Sequence, residues 1–176
     1  MKPIALDLLH KERVCVLAVP MGGGEPHAAV VHYSQQTDPV KIFIQTYPTV
    51  KVQAIKDRGG RAPAAVVVGL DEAAFVTLQM HGQVRIVSDS AELEQVYKIH
   101  YAKHPDAEKY KSATTIFLEF TPTWWRYSDF KTDPETTVEG KLGSLTRILR
   151  RLIYVRDVLL TCRIFLRLAR PPINSR

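Results

Sequence analysis

Six short runs rich in Val, Ile and aromatic residues, separated by tight turn signals, limit what this chain can fold into. Val14–Val19 ends at Pro20 and the Gly22-Gly23-Gly24 turn, which predicts a hairpin into His27–Tyr33. Gln35-Gln36-Thr37-Asp38-Pro39 reads as a second turn, leading to a strand over Val40–Thr46. Ala64–Leu70 and Phe75–Val87 flank an Asp71-Glu72 turn, and Gly82 inside the longer run predicts a bulge or barrel corner. Thr114–Phe120 is the last strong strand, and Thr121–Phe130 follows as an aromatic segment. Three helices are expected: Ile4–Glu12, Thr49–Arg58 closed by Gly59-Gly60, and one capped by Ser88-Asp89-Ser90 with Leu93, Val96 and Ile99 as its stripe.

Helices and strands do not alternate one for one, which argues against a doubly wound nucleotide fold. Many strands joined by tight turns predict a mainly β protein, a small antiparallel barrel with flanking helices. With 176 residues, the chain has room for one domain with a real core. That domain is expected over residues 1–142, with 143–176 as a separate extension.

Charge divides along the same boundary. Residues 1–142 hold 16 basic against 17 acidic side chains, whereas 143–176 hold 8 arginines against Asp157 alone. The folded body is therefore close to neutral, and the overall charge of +6 is no argument for nucleic-acid binding. In the extension, Leu145, Ile148, Leu149, Leu152 and Val155 form a helical stripe opposite Arg147, Arg150 and Arg151. Arg156, Arg163, Arg167 and Arg170 then fall on the apolar side, so a break is expected near Tyr154–Asp157. A poorly ordered extension is preferred to a membrane-surface anchor. Cys15 and Cys162, with no CxxC spacing, fit a reduced, cytoplasmic protein. Met1–Glu12 does not read as a signal peptide, and no apolar run reaches the ~20 residues that span a bilayer.

Thr46 and Lys51, five apart across a strand-to-helix junction, are the most chemically suggestive pair. Two hydroxyls (Thr46 and Thr49), free N–H groups of a first helical turn and an ammonium are what a phosphate monoester needs. Gly22-Gly23-Gly24 lacks the following Gly-Lys-Ser/Thr of a phosphate loop. His100 and His104 have metal-ligand spacing but no third ligand, so an exposed helix face is the simpler expectation. Trp124-Trp125 is expected to pack, and no nucleophile elbow supports a hydrolase.

Several of these segments, taken in order, resemble one known family. They are the hairpin after Val14–Val19, Pro26-His27-Ala28-Ala29-Val30-Val31-His32-Tyr33, Phe43-Ile44-Gln45-Thr46 leading to Lys51, Gly82 within Leu78–Val84, and Thr121-Pro122-Thr123-Trp124-Trp125-Arg126. Over residues 4–130 the chain resembles the pyridoxamine 5′-phosphate oxidase-like FMN-binding split barrels. The resemblance implies a homodimer with FMN at the subunit interface. It implies that the strand through Ala29, Val30, Val31, His32 and Tyr33 passes along the isoalloxazine. The position matching Thr46 and the short helix matching Thr49, Val50 and Lys51 hold the phosphate, with Gln45 in the same cofactor site. Thr77 matches a polar position that reaches the flavin, and Trp125 and Arg126 match a segment that lines the pocket.

Family members that oxidise pyridoxamine phosphate carry basic residues where this chain has Ala28, Ala29 and Val50, and their closing Arg- and His-rich motif is absent here. The resemblance thus implies a flavin-dependent oxidoreductase acting on another small molecule. The alternative is a non-catalytic module on the same barrel that binds or senses flavin or haem.

Overall fold

Ala5, Leu8 and Leu9 lie on one face of α1 (Pro3–Lys11) and bury it, while Pro3 opens the helix where a missing N–H costs nothing. The structure, a computed structural model, describes residues 1–143. The stripe expected over Leu145–Val155 and the break near Tyr154–Asp157 lie outside the described residues. Among the described residues no helix is long and apolar enough to cross a membrane.

Eight antiparallel strands follow: β1 (Val14–Pro20), β2 (Pro26–His32), β3 (Ser34–Thr37), β4 (Val40–Thr46), β5 (Arg61–Val68), β6 (Val76–Val87), β7 (Ile116–Asp129) and β8 (Thr136–Lys141). They form one curled half-barrel in the order β2-β1-β5-β6-β7-β4-β3. The long β7 pairs β4 through its first half and β8 through its second, always with β6 on its other side. Alternate side chains point into the curl, where Leu17, Ile44, Val66, Met80 and Phe120 are closed off from water. α1 and α2 (Val50–Lys56) close that core with Leu9, Val52 and Ile55. Each such side chain contributes about 1.5–3 kcal/mol relative to leaving it in water.

The curl needs a bend in the β6–β7 pair, and the register shifts between His81 and Gly82. His81 faces Trp124 while Gly82 faces Pro122, which leaves Thr123 as the extra residue of a bulge. Its polar groups are satisfied: Thr123 Oγ1 donates to the His81 carbonyl at 3.2 Å, and its carbonyl accepts from the Leu142 N–H at 2.9 Å. A Cβ at residue 82 would fall on the Thr121 carbonyl oxygen and lie 2.8 Å from the Pro122 Cα. Glycine there is a packing requirement.

α3 (Ser90–Lys103) lies outside the curl, started by the Asp89 carboxylate accepting from the Glu92 N–H at 2.9 Å. It packs Val96 against Phe43, Val87 and Phe117 in a second small cluster. A bidentate pair from Arg85 to Glu119, joined by Lys41 at 2.9 Å and by Glu92, ties β6, β7, β4 and α3 together. Burial alone would raise the Glu119 carboxyl, but the hydrogen bonds from Arg85 and Lys41 win and hold it below its usual range. Near its end, α3 places His100 Nδ1 3.1 Å from the Ser34 hydroxyl. His100 is 1% exposed and His104 is 3% exposed, so the exposed helix face expected for them is corrected to a buried one. The turn expected over Gln35–Pro39 is also mostly strand. Ser34–Thr37 pairs β4 as one arm of a hairpin turned at Asp38-Pro39.

Two predictions follow from this packing. Gly82→Ala lowers stability by about 2–3 kcal/mol in chemical denaturation. Gly22→Ala, where an added Cβ meets nothing within 4 Å, stays within about 0.5 kcal/mol of the parent. The second concerns pH. Burial, then the neighbouring His104, His32 and Lys103 charges, push His100 down from 6.5 to about 4. A histidine whose folded pKa is depressed costs stability as pH falls, because the unfolded chain takes up the proton first. Stability should therefore drop by about 3 kcal/mol between pH 6.5 and 4, and the His100→Gln stability profile should be shallower by that amount.

Candidate functional site

β2 is an edge strand, paired only with β1, so half of its backbone donors and acceptors face away from any ladder. No ladder joins β2 to β4, and a cleft of about 440 Å³ opens beside both strands. Val30, Val31 and His32 line it from β2, and Gln45, Thr46 and Tyr47 from the end of β4. His100 lines it from the last turn of α3 and His104 from the residue just after that helix, with Arg13 from just before β1. A 3₁₀ segment, Pro105–Tyr110, adds Asp106, Ala107 and Tyr110.

The polar chemistry of this cleft is ordered by one histidine. His104 Nε2 lies 2.7 Å from the Tyr33 carbonyl oxygen, which can only accept, so Nε2 carries the proton and donates. Nδ1 is then a lone pair, and the Arg13 guanidinium donates to it at 3.1 Å. Burial holds His104 below its ordinary value, the Tyr33 hydrogen bond opposes that, and the Arg13 charge adds to it. The ring of His32 meets that of His104 edge-on at 5.4 Å, and the His100 ring lies 5.0 Å away. Two polar atoms on the lining residues have no partner among the described residues: His100 Nε2 and Gln45 Oε1, both fully buried. A buried polar atom without a partner costs about 1–3 kcal/mol, and a ligand or water can remove that cost.

Five residues expected at a cofactor site, Val30, Val31, His32, Gln45 and Thr46, meet at this cleft. Ala29 is half-buried on β2, opposite Leu17, and Tyr33 is fully buried behind the cleft. Thr49 and Val50 line a second hollow of about 430 Å³ with Val52, Gln53 and Lys56. The two hydroxyls expected to converge on one point therefore serve different hollows. Thr49 is the extended residue before α2, and its side chain forms no cap hydrogen bond. Lys51 lines neither hollow but is only 7% exposed, and none of the ion pairs or hydrogen bonds among the described residues uses its Nζ. Burial pushes its ammonium below the ordinary lysine value.

Three further expected residues lie elsewhere on this chain. Thr77 faces Ser128 across the β6–β7 pair. Trp125 is in the core with its indole against Gly140, where an added Cβ would sit 3.0 Å from Nε1. Arg126 is exposed and bonds Glu139 on β8 at 2.7 Å. Conversely, Arg13, Tyr47 and Tyr110 carry no sequence signal of a site. The spacing of His100 and His104 was visible, but not the Tyr33 carbonyl that fixes one of them.

Comparison with curated proteins gave no match. Among solved structures, one similar fold is a Clostridium acetobutylicum protein related to general stress protein 26 of B. subtilis, in the pyridoxinephosphate oxidase family. The two are 15% identical with a TM-score of 0.61, over 79% of this chain and 92% of that one. A heme binding protein from Mycobacterium smegmatis matches at 15% identity and a TM-score of 0.61, over 80% of this chain and 59% of that one. HutZ, the heme storage protein of Vibrio cholerae, matches at 13% identity and a TM-score of 0.57, over 69% of this chain and 89% of that one. At these identities the likeness is one of fold, and the fold is the split barrel. The sequence profile described as pyridoxamine 5′-phosphate oxidase extends the likeness to the residues themselves, matching 1–129, and by it this chain belongs to the pyridoxamine 5′-phosphate oxidase family.

Proposed function

We propose that this protein binds FMN in the β2–β4 cleft at the interface of a homodimer and acts as a flavin-dependent oxidoreductase on a small molecule. Lys51 carries the reading. Its side chain is packed to 7% exposure, no ion pair among the described residues uses its ammonium, and burial holds that ammonium below its ordinary value, so an anionic ligand group beside it would be favourable. Lys51 follows directly on residues 45–50, which line the cleft and the neighbouring hollow, so Lys51 would reach the phosphate end from beside Thr46, while Thr49 faces the neighbouring hollow. Val30, Val31 and His32, with the outward backbone groups of β2, would lie along the ring system, with Gln45 on the same wall. FMN, when bound, supplies the electron-transfer chemistry, and the chain supplies orientation and charge.

A second copy is supported by the cleft mouth. Val30 is 63% exposed, Tyr47 42% and Tyr110 59%, an apolar rim beside an unpaired strand edge. Pyridoxamine phosphate is not the substrate on this reading, since Ala28, Ala29 and Val50 offer no charge where family members that oxidise it are basic.

Haem storage or sensing is the second reading, and His100 favours it. His100 lines the cleft as a neutral imidazole whose Nε2 has no partner among the described residues, and a neutral imidazole is what an iron ligand must be. Among the described residues no group of three His, Cys, Asp or Glu side chains could hold a bare metal ion. The absorbance of protein reconstituted with each cofactor separates the two: flavin bands with quenched fluorescence, or a Soret band lost in His100→Gln.

For FMN, Lys51→Met weakens binding by about tenfold or more in a fluorescence titration, while the exposed Lys98→Ala leaves it unchanged. The flavin-free Lys51→Met protein melts no lower than the parent, because methionine keeps the packed stem and removes a charge that burial disfavours. The pH dependence has a definite sign. Phosphate binds the charged ammonium, whose pKa in the free protein is depressed, so affinity declines with rising pH before the ordinary lysine range. Equal affinities for parent and Lys51→Met would remove the reading.

A further inference from the structure

We propose that the barrel end carrying Leu70, Phe75 and Phe130 is a docking surface for a basic, amphipathic peptide segment of a partner protein. Of the large apolar side chains left exposed among the described residues, Val30, Tyr47 and Tyr110 line the cleft, whereas these three line neither hollow. The surface does not depend on what the cleft holds.

The three side chains come from two adjoining turns. Leu70 and Phe75 lie between β5 and β6, and Phe130 lies between β7 and β8. The Phe130 N–H donates to the Phe75 carbonyl at 3.0 Å, and the two rings meet edge-on at 6.0 Å. Next to Leu70, the Asp71 carbonyl accepts from the Phe75 N–H at 3.3 Å. Phe75 is nevertheless 51% exposed, Leu70 45% and Phe130 42%, so contact among themselves leaves much apolar surface in water.

Local backbone bonds set the patch in advance. Gly69 takes a φ of +85°, and a Cβ there would fall on the Val76 carbonyl oxygen, so the turn closes tightly. Phe75 completes it at a φ of 52°, a region that a bulky side chain rarely adopts. Its ring points to solvent, so burial does little to offset that conformation. The Asp71 carboxylate accepts from the Ala73 N–H and the Asp129 carboxylate from the Lys131 N–H, both at 2.9 Å, which holds each turn. A surface shaped before contact loses little freedom on binding.

Charge identifies the occupant. Residues 70–75 and 129–135 carry five acids, Asp71, Glu72, Asp129, Asp133 and Glu135, against one base, Lys131. None of the five enters an ion pair among the described residues. Apolar surface beside uncompensated negative charge complements aliphatic side chains flanked by Lys or Arg. Two copies of this chain joined through the patch would set the same acids against each other, and an anionic bilayer would be repelled by them. A basic segment meets neither obstacle.

The test titrates full-length protein into a labelled amphipathic peptide of Leu and Lys, followed by fluorescence anisotropy, with a Leu and Glu peptide of the same pattern as control. Wild type binds the basic peptide and not the acidic one. Phe75→Asn removes the ring but keeps a residue at ease with positive φ, so it melts no lower than wild type and yet loses about tenfold or more of the affinity. Glu72→Gln combined with Glu135→Gln loses about threefold or more and flattens the salt dependence, whereas Glu94→Gln, exposed on α3, loses nothing. The proposal is overturned if wild type binds neither peptide or both alike, if Phe75→Asn binds as wild type does, or if the paired charge variant does. Phe75-dependent binding to phosphatidylcholine vesicles, or Phe75-dependent self-association in sedimentation, without binding of the basic peptide would give the patch to a bilayer or to a second copy and overturn it as well.

Discussion

Tyr33 is where the site is joined to the fold. It stands between β2 and β3, fully buried, and every polar group it has is committed to a different element. Its N–H donates to the Arg13 carbonyl, its carbonyl accepts from His104 and its hydroxyl donates to the Leu9 carbonyl at 2.9 Å. The Lys103 ammonium lies over its ring at 4.1 Å and also donates to Leu9 and Gln35. α1, β1, β2, β3 and α3 therefore meet at one residue. Loss of the His104 bond would leave the buried Tyr33 carbonyl unsatisfied, at a cost of about 1–3 kcal/mol. The joint also fixes both the tautomer of His104 and the direction of Arg13, so the chemistry of the cleft is set by the same contacts that hold the elements together.

The far side of the barrel shows the contrasting use of charge. Glu119 sits under α3 with Arg85 and Lys41 directly on its oxygens, a network in which each charge is compensated. Such a cluster fixes α3 against β4, β6 and β7, and leaves nothing free to engage a ligand. At the cleft the pattern is reversed: the histidines are neutral and Arg13 meets only neutral acceptors. The separation between structural and available charge runs along the two ends of α3, with Glu92 near its start and His100 to His104 at its finish.

Much of the barrel was legible in the sequence because strong strands announce themselves by apolar, β-branched runs. The bend at Gly82 and the Asp89 cap were also readable, since each follows from a residue whose local chemistry has few alternatives. β3 and β8 were not, because Ser34–Thr37 and Thr136–Lys141 are polar strands at the margins of the sheet and depend on their partners for identity. β7 reads as two segments because Pro122 interrupts its pattern, and only the bulge explains how the strand continues. At the site, β2 and the end of β4 were legible from the family resemblance. Arg13 is distant in sequence from His104 and Tyr110, and what unites them is a backbone carbonyl and a 3₁₀ turn, neither of which leaves a pattern in residue type.

The tautomer of His104 also bears on which cofactor suits the cleft. An imidazole that donates through Nε2 and accepts through Nδ1 has no lone pair left for iron, and freeing one means breaking a 2.7 Å or a 3.1 Å hydrogen bond. Of the three clustered histidines, His104 is thereby withdrawn from ligation. His100 could ligate only through Nε2, inside a residue that is 1% exposed, and His32 from the exposed end of β2. An anion-bearing planar ligand that lies along β2 asks for none of these rearrangements. It meets the outward backbone of the strand and the residues that already line the cleft, Val30, Val31 and Thr46.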